Sequence, residues 1–184
     1  MKQTLLLTLI IAFLMTSCSK QSGAKAQNGS KTLVTYFSAT GNTRTVAQRL
    51  AKVTGGELWE IAPAQTYTSA DLDWRDKSSR SSVEMNDPSA RPELKSTYAD
   101  IARFDTVYIG FPIWWYVAPR IINSFIDAHD LKGKVLIPFA TSGSSPIGPC
   151  VDELRKSYPT LNFNDGRLLN RASEQNIREW VNGK

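Results

Sequence analysis

Residues 36–43 read Tyr-Phe-Ser-Ala-Thr-Gly-Asn-Thr. The run TLVTYFS (32–38) is short, apolar and β-branched, and predicts a buried strand. In the following NTRTVAQRLAKVTGG (42–56), Val46, Leu50 and Val53 recur at helical spacing, and Gly55-Gly56 ends the pattern. The chain therefore turns from strand to helix inside SATGNT, where five of six residues are Ser, Thr, Asn or Gly. A helix N-terminus leaves backbone N–H groups unpaired and carries partial positive charge. An anion fits there without a lysine. Gly41 permits close backbone approach, Ser38, Thr40 and Thr43 add hydroxyls, and Asn42 adds an amide. A plain cap needs one such side chain, not five. The stretch predicts a seat for a phosphate monoester. It lacks both the lysine of a nucleoside-triphosphate loop and the three spaced glycines of a dinucleotide loop.

The same alternation continues outward. ELWEIAP (57–63) predicts a second strand, and FDTVYIGFP (104–112) a third, ended by Gly110 and Pro112. APRIINSFIDAHD (118–130) predicts a helix with Ile121, Ile122, Phe125 and Ile126 on one side. KVLIPFATSG (134–143) predicts a fourth strand and LNFNDGRLLN (161–170) a weaker fifth. CVDELRKSY (150–158) and SEQNIREWV (173–181) predict helices, the last capped by Ser173 with Ile177, Trp180 and Val181 inward. Residues 64–97 read as a long polar loop, with a short helix expected after Pro92. Repeated strand–helix units imply an α/β fold, a doubly wound parallel sheet with helices on both faces. Such folds bind ligands beyond the C-terminal ends of their strands.

Two further loops stand at those ends. In GFPIWWY (110–116), Trp114 and Trp115 are hard to bury together. They suit core packing or a partner interface, or else stacking on a flat heterocycle beside the anion seat. In TSGSSPIGPC (141–150), Thr141, Ser142, Gly143 and Ser144 offer donors to the polar edge of such a ring. Pro149 stands where a phosphate loop would need lysine, and Cys150 lies inside a helix, where packing is its expected role.

The N-terminus differs in kind. MKQTLLLTLIIAFLMTSC (1–18) has a basic start, an apolar stretch too short to span a bilayer, and small residues before Cys18. It reads as a signal peptide ending in a lipobox-like motif, with Cys18 the lipidated residue; an ordinary cleaved signal is the alternative. Residues 19–30 are small and polar and read as a flexible tether. The expectation is an exported lipoprotein of a bacterial cell envelope, held to the membrane by its lipid alone.

The chain has 22 Lys and Arg against 17 Asp and Glu, a formal charge of +5. The basic residues are scattered, Arg75, Lys77 and Arg80 being the closest group, and no nucleic-acid motif accompanies them. No nucleic-acid partner is expected. With one histidine, His129, and Cys150 as the one thiol left after lipidation, no metal cluster and no serine–histidine triad is expected. His129 is expected to be structural or solvent-facing.

Together YFSATGNT, GFPIWWYVAP and PFATSGSS resemble the flavodoxin superfamily, in its short bacterial flavodoxin-like branch. The resemblance covers residues 31–184. It implies a three-layer fold with a five-stranded sheet in the order 2-1-3-4-5, and one FMN. By position, Ser38, Thr40, Gly41, Asn42 and Thr43 would hold the FMN phosphate. Pro112, Ile113, Trp114 and Trp115 would line one side of the isoalloxazine, and Thr141, Ser142, Gly143 and Ser144 would meet its other edge. The chain departs from acidic cytoplasmic flavodoxins in being basic and in its expected export. The leading expectation is an electron-transfer flavoprotein that serves a redox partner protein or a quinone and needs no catalytic acid or base. The alternatives are an NAD(P)H- or partner-dependent quinone or flavin reductase, with Arg75, Lys77 or Arg80 meeting a nucleotide phosphate, and a flavin-free binding lipoprotein. The oligomeric state stays open.

Overall fold

The computed structural model describes residues 31–183. The expected signal peptide, the tether and Cys18 lie outside these residues. The elements run β1 (Thr32–Tyr36), α1 (Asn42–Thr54), β2 (Glu57–Glu60), α2 (Arg80–Asn86), β3 (Thr106–Pro112), α3 (Arg120–Asp127) and β4 (Val135–Thr141). They continue through α4 (Gly148–Ser157), β5 (Asn162–Phe163), β6 (Arg167–Leu168) and α5 (Glu174–Asn182). All pairings between these strands are parallel, in the order β2-β1-β3-β4-β5. The fifth position is split: β5 and β6 each pair with a different stretch of β4. Asn164, Asp165 and Gly166 interrupt LNFNDGRLLN, which explains its weak strand pattern.

Successive strand residues point to opposite faces, and the core divides accordingly. Leu33, Val107, Ile109, Phe111 and Leu136 meet α3 and α4 through Ile121, Ile122, Phe125 and Leu154. Val34, Tyr108, Ile137 and Phe139 meet α1 and α5 through Val46, Leu50, Ile177 and Trp180. This is the three-layer arrangement expected from the sequence. The strands are shorter than their apolar patterns, although Phe37 and Ile61, just past the ends of β1 and β2, still donate to the Gly110 and Tyr36 carbonyls at 2.8 and 2.7 Å.

Residues 64–97 contain more structure than their polar composition suggests. Ser79 caps α2, its side chain accepting from the Ser82 N–H. No helix follows Pro92; Leu94 instead pairs in an isolated antiparallel bridge with Pro63. A 3₁₀ turn at Ile101–Arg103 then leads into β3. The α5 start obeys its sequence signal, with Ser173 and Asn176 forming a reciprocal capping box.

His129 is structural. Its Nδ1 donates to the Phe125 carbonyl at 2.7 Å, and its Nε2 accepts from the Tyr98 N–H at 2.8 Å. Cys150 is fully buried, as its packing role requires.

Gly110 sits mid-sheet, paired with Tyr36 of β1 and Phe139 of β4. The Phe139 ring lies across it: a Cβ at Gly110 would come within 2.2 Å of that ring. Gly110→Ala is therefore expected to lower unfolding free energy by about 2 kcal/mol through overpacking. Urea denaturation measures this, and Phe139→Leu in the same chain should recover part of the loss.

Candidate functional site

The parallel sheet brings the loops after β1, β3 and β4 to one edge. They border a cavity of about 870 Å³. The first loop contributes Thr40 and Asn42, the second Pro112, Ile113 and Trp114, and the third Thr141, Ser142 and Gly143. The outer rim adds Thr45 and Arg49 of α1, with Asn170 and Arg171 beyond β6.

The other expected residues occupy different places. Ser38 and Gly41 line a second cavity of about 530 Å³ on the far side of their loop, which shares Thr40 with the first. Ser38 accepts from the Gly41 N–H at 3.1 Å and shapes the turn. Thr43 is buried, its hydroxyl 2.8 Å from that of Thr141. One hydroxyl of that pair must donate to the other, so the contact ties the first loop to the third. Trp115 and Ser144 are exposed and form no part of the cavity wall.

The start of α1 is built on a left-handed glycine. Its N-cap is Gly41 at φ 87°, with no side-chain cap and no acid in the first turn. That left-handed φ is open to glycine at little cost. Among the described residues, the N–H groups of Asn42, Thr43 and Arg44 have no acceptor. Orphan donors of this kind, at the positive end of a helix dipole, are satisfied by water or by an anion. Side chains cap α2 and α5, whereas α1, α3 and α4 have no side-chain cap; of these three, α1 starts on a left-handed glycine beside the cavity.

The second loop carries strain. Trp114 and Val117 exchange backbone hydrogen bonds of 3.1 and 3.0 Å, closing a two-residue hairpin. Its central residues, Trp115 and Tyr116, have φ of 45° and 66°. This is the signature of a type I′ turn, which ordinarily uses Asn-Gly. The chain accepts bulky residues there and leaves both rings exposed. The buried Cys150 thiol, its pKa pushed up to about 12 by desolvation, donates to the Tyr116 carbonyl at 3.2 Å.

Asn170 holds the third loop. Its Oδ1 accepts from the Ser142 N–H at 2.8 Å, and its Nδ2 donates to the Ser142 carbonyl at 2.7 Å. The amide thus mimics a neighbouring strand where β4 ends. Nothing in the sequence marked Asn170, because its partner lies 28 residues away; only the DGRLLN turn signal stood nearby. Arg80, expected to be free for a nucleotide phosphate, is instead committed to Glu84 at 2.6 Å and the Gln65 carbonyl at 2.7 Å. Arg75 is paired with Asp73 at 2.9 Å. Among the described residues, no cluster of His, Cys, Asp or Glu has metal-site geometry, and no helix is long and apolar enough to cross a membrane.

Residues 31–184 match the family model described as Flavodoxin. The chain belongs to the flavodoxin family. Its fold is similar to that of a Bacteroides eggerthii protein provisionally described as a flavoprotein, at 59% identity and TM-score 0.83, covering 84% of this chain and 98% of that one. A Bacteroides uniformis protein with the same provisional description is 55% identical, TM-score 0.82, over 84% of this chain and 99% of that one. A Lactobacillus acidophilus flavoprotein in complex with FMN shares the fold at 21% identity and TM-score 0.64, over 83% and 99% of the two chains. A segment of 36 residues is 36% identical to the uncharacterised NAD(P)H oxidoreductase YcaK of Escherichia coli; it spans 20% of this chain and 18% of that protein.

Replacing Trp115 by Asn and Tyr116 by Gly together should relieve the turn and raise stability by about 1 kcal/mol. A thermal melt reads the gain; an unchanged or lower Tm would remove the strain assignment.

Proposed function

We propose that the cavity binds FMN and that the protein transfers electrons in the bacterial cell envelope. The uncapped start of α1 carries this reading. Three orphan N–H groups at a helix N-terminus suit a dianionic phosphate, with Thr40 and Asn42 on the cavity wall beside them. From there Trp114 and the Thr141–Gly143 stretch line the same cavity, an aromatic ring and polar groups suited to a flat heterocycle. Thr43 and Thr141 act through each other, holding the two loops at fixed separation. Asn170 supports the polar edge by fixing the Ser142 backbone.

When bound, FMN supplies the redox chemistry, and the protein sets orientation, potential and access. The role of carrier asks no proton-transferring residue of the chain. The exposed Trp115–Tyr116 turn lies next to Trp114, where a partner protein or a quinone would approach. The alternative, a quinone or flavin reductase, draws on the oxidoreductase name of the E. coli relative. Of the three basic residues expected to serve it, Arg80 and Arg75 are engaged in internal pairs and Lys77 is exposed. Export and lipidation at Cys18 complete the proposal; Cys18→Ala should move the protein from the membrane to the soluble fraction.

Flavin titration of the full chain, followed by fluorescence quenching, tests the cofactor. Thr40, Asn42 and Thr43 all replaced by alanine should weaken FMN binding at least about tenfold, since Thr40 and Asn42 would no longer bond a charged group and the Thr43–Thr141 tie between the loops is cut. Undiminished affinity would sink the phosphate seat. A chain that takes up no FMN at all would leave the flavin-free binding role, and rapid NADPH oxidation with a quinone would favour the reductase.

The charged residues bordering the cavity, Arg49 and Arg171, are both cationic. They favour the negative charge that reduction adds to the site. The two-electron potential should therefore lie above that of an acidic flavodoxin, and Arg171→Glu should lower it. A redox titration that returned a strongly negative wild-type value, unmoved by Arg171→Glu, would refute this.

A further inference from the structure

Trp114 presents one side to the cavity, but other rings grip it. Its ring meets Phe37 edge-on, with centroids 5.6 Å apart at 89°, and Tyr67 at 5.4 Å and 80°. Phe37 and Tyr67 also touch each other, at 5.7 Å. The three rings come from the end of β1, the β2–β3 segment and the β3–α3 loop. Edge-to-face contacts of this kind fix ring orientation as well as burying area.

Tyr67 is itself held on two further sides. Its hydroxyl donates to Glu84. The Arg80 guanidinium lies 4.1 Å from its ring centroid, on the face. Arg80 and Glu84 stand one turn apart on α2 and pair at 2.6 Å, with side chains 23% and 13% exposed. An ion pair sheltered to this degree is less screened by solvent than one on the open surface. Burial and the neighbouring carboxylate push the Tyr67 hydroxyl far up from its ordinary pKa, so it stays a donor.

We infer that Tyr67 is a positioning residue that sets the Trp114 indole at the cavity wall, with Arg80 and Glu84 of α2 locking the tyrosine in turn. None of the three lines the larger cavity, although Tyr67 lines the smaller one with Ser38, Thr40 and Gly41. They act on the larger cavity through Trp114. The long β2–β3 segment thereby buttresses the second loop from outside, next to the strained turn. A ring that must keep one orientation needs its support locked by packing and hydrogen bonds, and the α2 pair supplies both.

The inference rests on the flavin reading of the cavity, and its test separates the two. In the full chain labelled with nitrogen-15, Tyr67→Leu should shift the Trp114 indole resonance, assigned with Trp114→Phe, and leave that of Trp180 in place. This holds without FMN, so a failure to bind flavin would not obscure it. With FMN added, Tyr67→Leu should weaken binding about tenfold, the worth of a lost aromatic pair, and alter the visible flavin spectrum. Tyr67→Phe keeps the ring and should stay within about threefold of wild type, since only a hydrogen bond is removed. Glu84→Ala should reproduce part of the loss in the wild-type background and add nothing to Tyr67→Leu. An unmoved Trp114 resonance would overturn the brace. A moved resonance with unchanged FMN affinity would show that the brace does not serve the site. Additive losses from Tyr67→Leu and Glu84→Ala would remove the lock.

Discussion

Every paired strand in the sheet runs the same way, so the C-terminal ends of β1, β3 and β4 meet on one edge. That constraint decides the rest. A parallel sheet is covered on both faces by its crossover helices, which leaves its edges as the places where loops can converge. At this edge the first loop must start a helix. The chain starts α1 on a left-handed glycine with no capping side chain. The N–H groups that result have no partner within the described residues and are open to water or to an anion.

The three loops are joined by polar contacts that involve few residues. The Thr43–Thr141 hydroxyl pair spans the first and third loops. Asn170 fastens the third loop to the chain beyond β6. Cys150, buried in α4, reaches the strained turn of the second. Each contact crosses between elements far apart in sequence. The cavity is thus a property of the assembled sheet edge, and no single loop could keep its shape alone. Strain at Trp115 and Tyr116 persists because surrounding contacts over-determine the turn.

The β2–β3 segment changes the balance between scaffold and site. Polar residues there looked like solvent-facing loop. Many of them serve local order: Asp71 accepts from the Thr68 N–H and hydroxyl, and Asp76 and Asp87 do the same for Ser78 and Ser89. These side-chain turns satisfy backbone groups without a regular element. They let a segment with one short helix fold compactly and present Tyr67 to the core.

Periodicity and turn chemistry alone determined the strand–helix order, the parallel sheet, the faces of α1, α3 and α5, and the loop that opens onto the helix N-terminus. Those features are local: a period of 2 or 3.6, a glycine after a helix, a serine before one. The same signals could not show that Thr43 turns inward to Thr141, that Arg80 belongs to Tyr67 and Glu84, or that Asn170 props Ser142. Nor could they show that α2 lies where composition suggested a loop, because seven residues give too short a window for a helical pattern to declare itself. Only the tertiary structure decided these points. Each depends on which side chains the fold brings within a few ångströms of one another, and a pattern read along the chain carries no record of that distance.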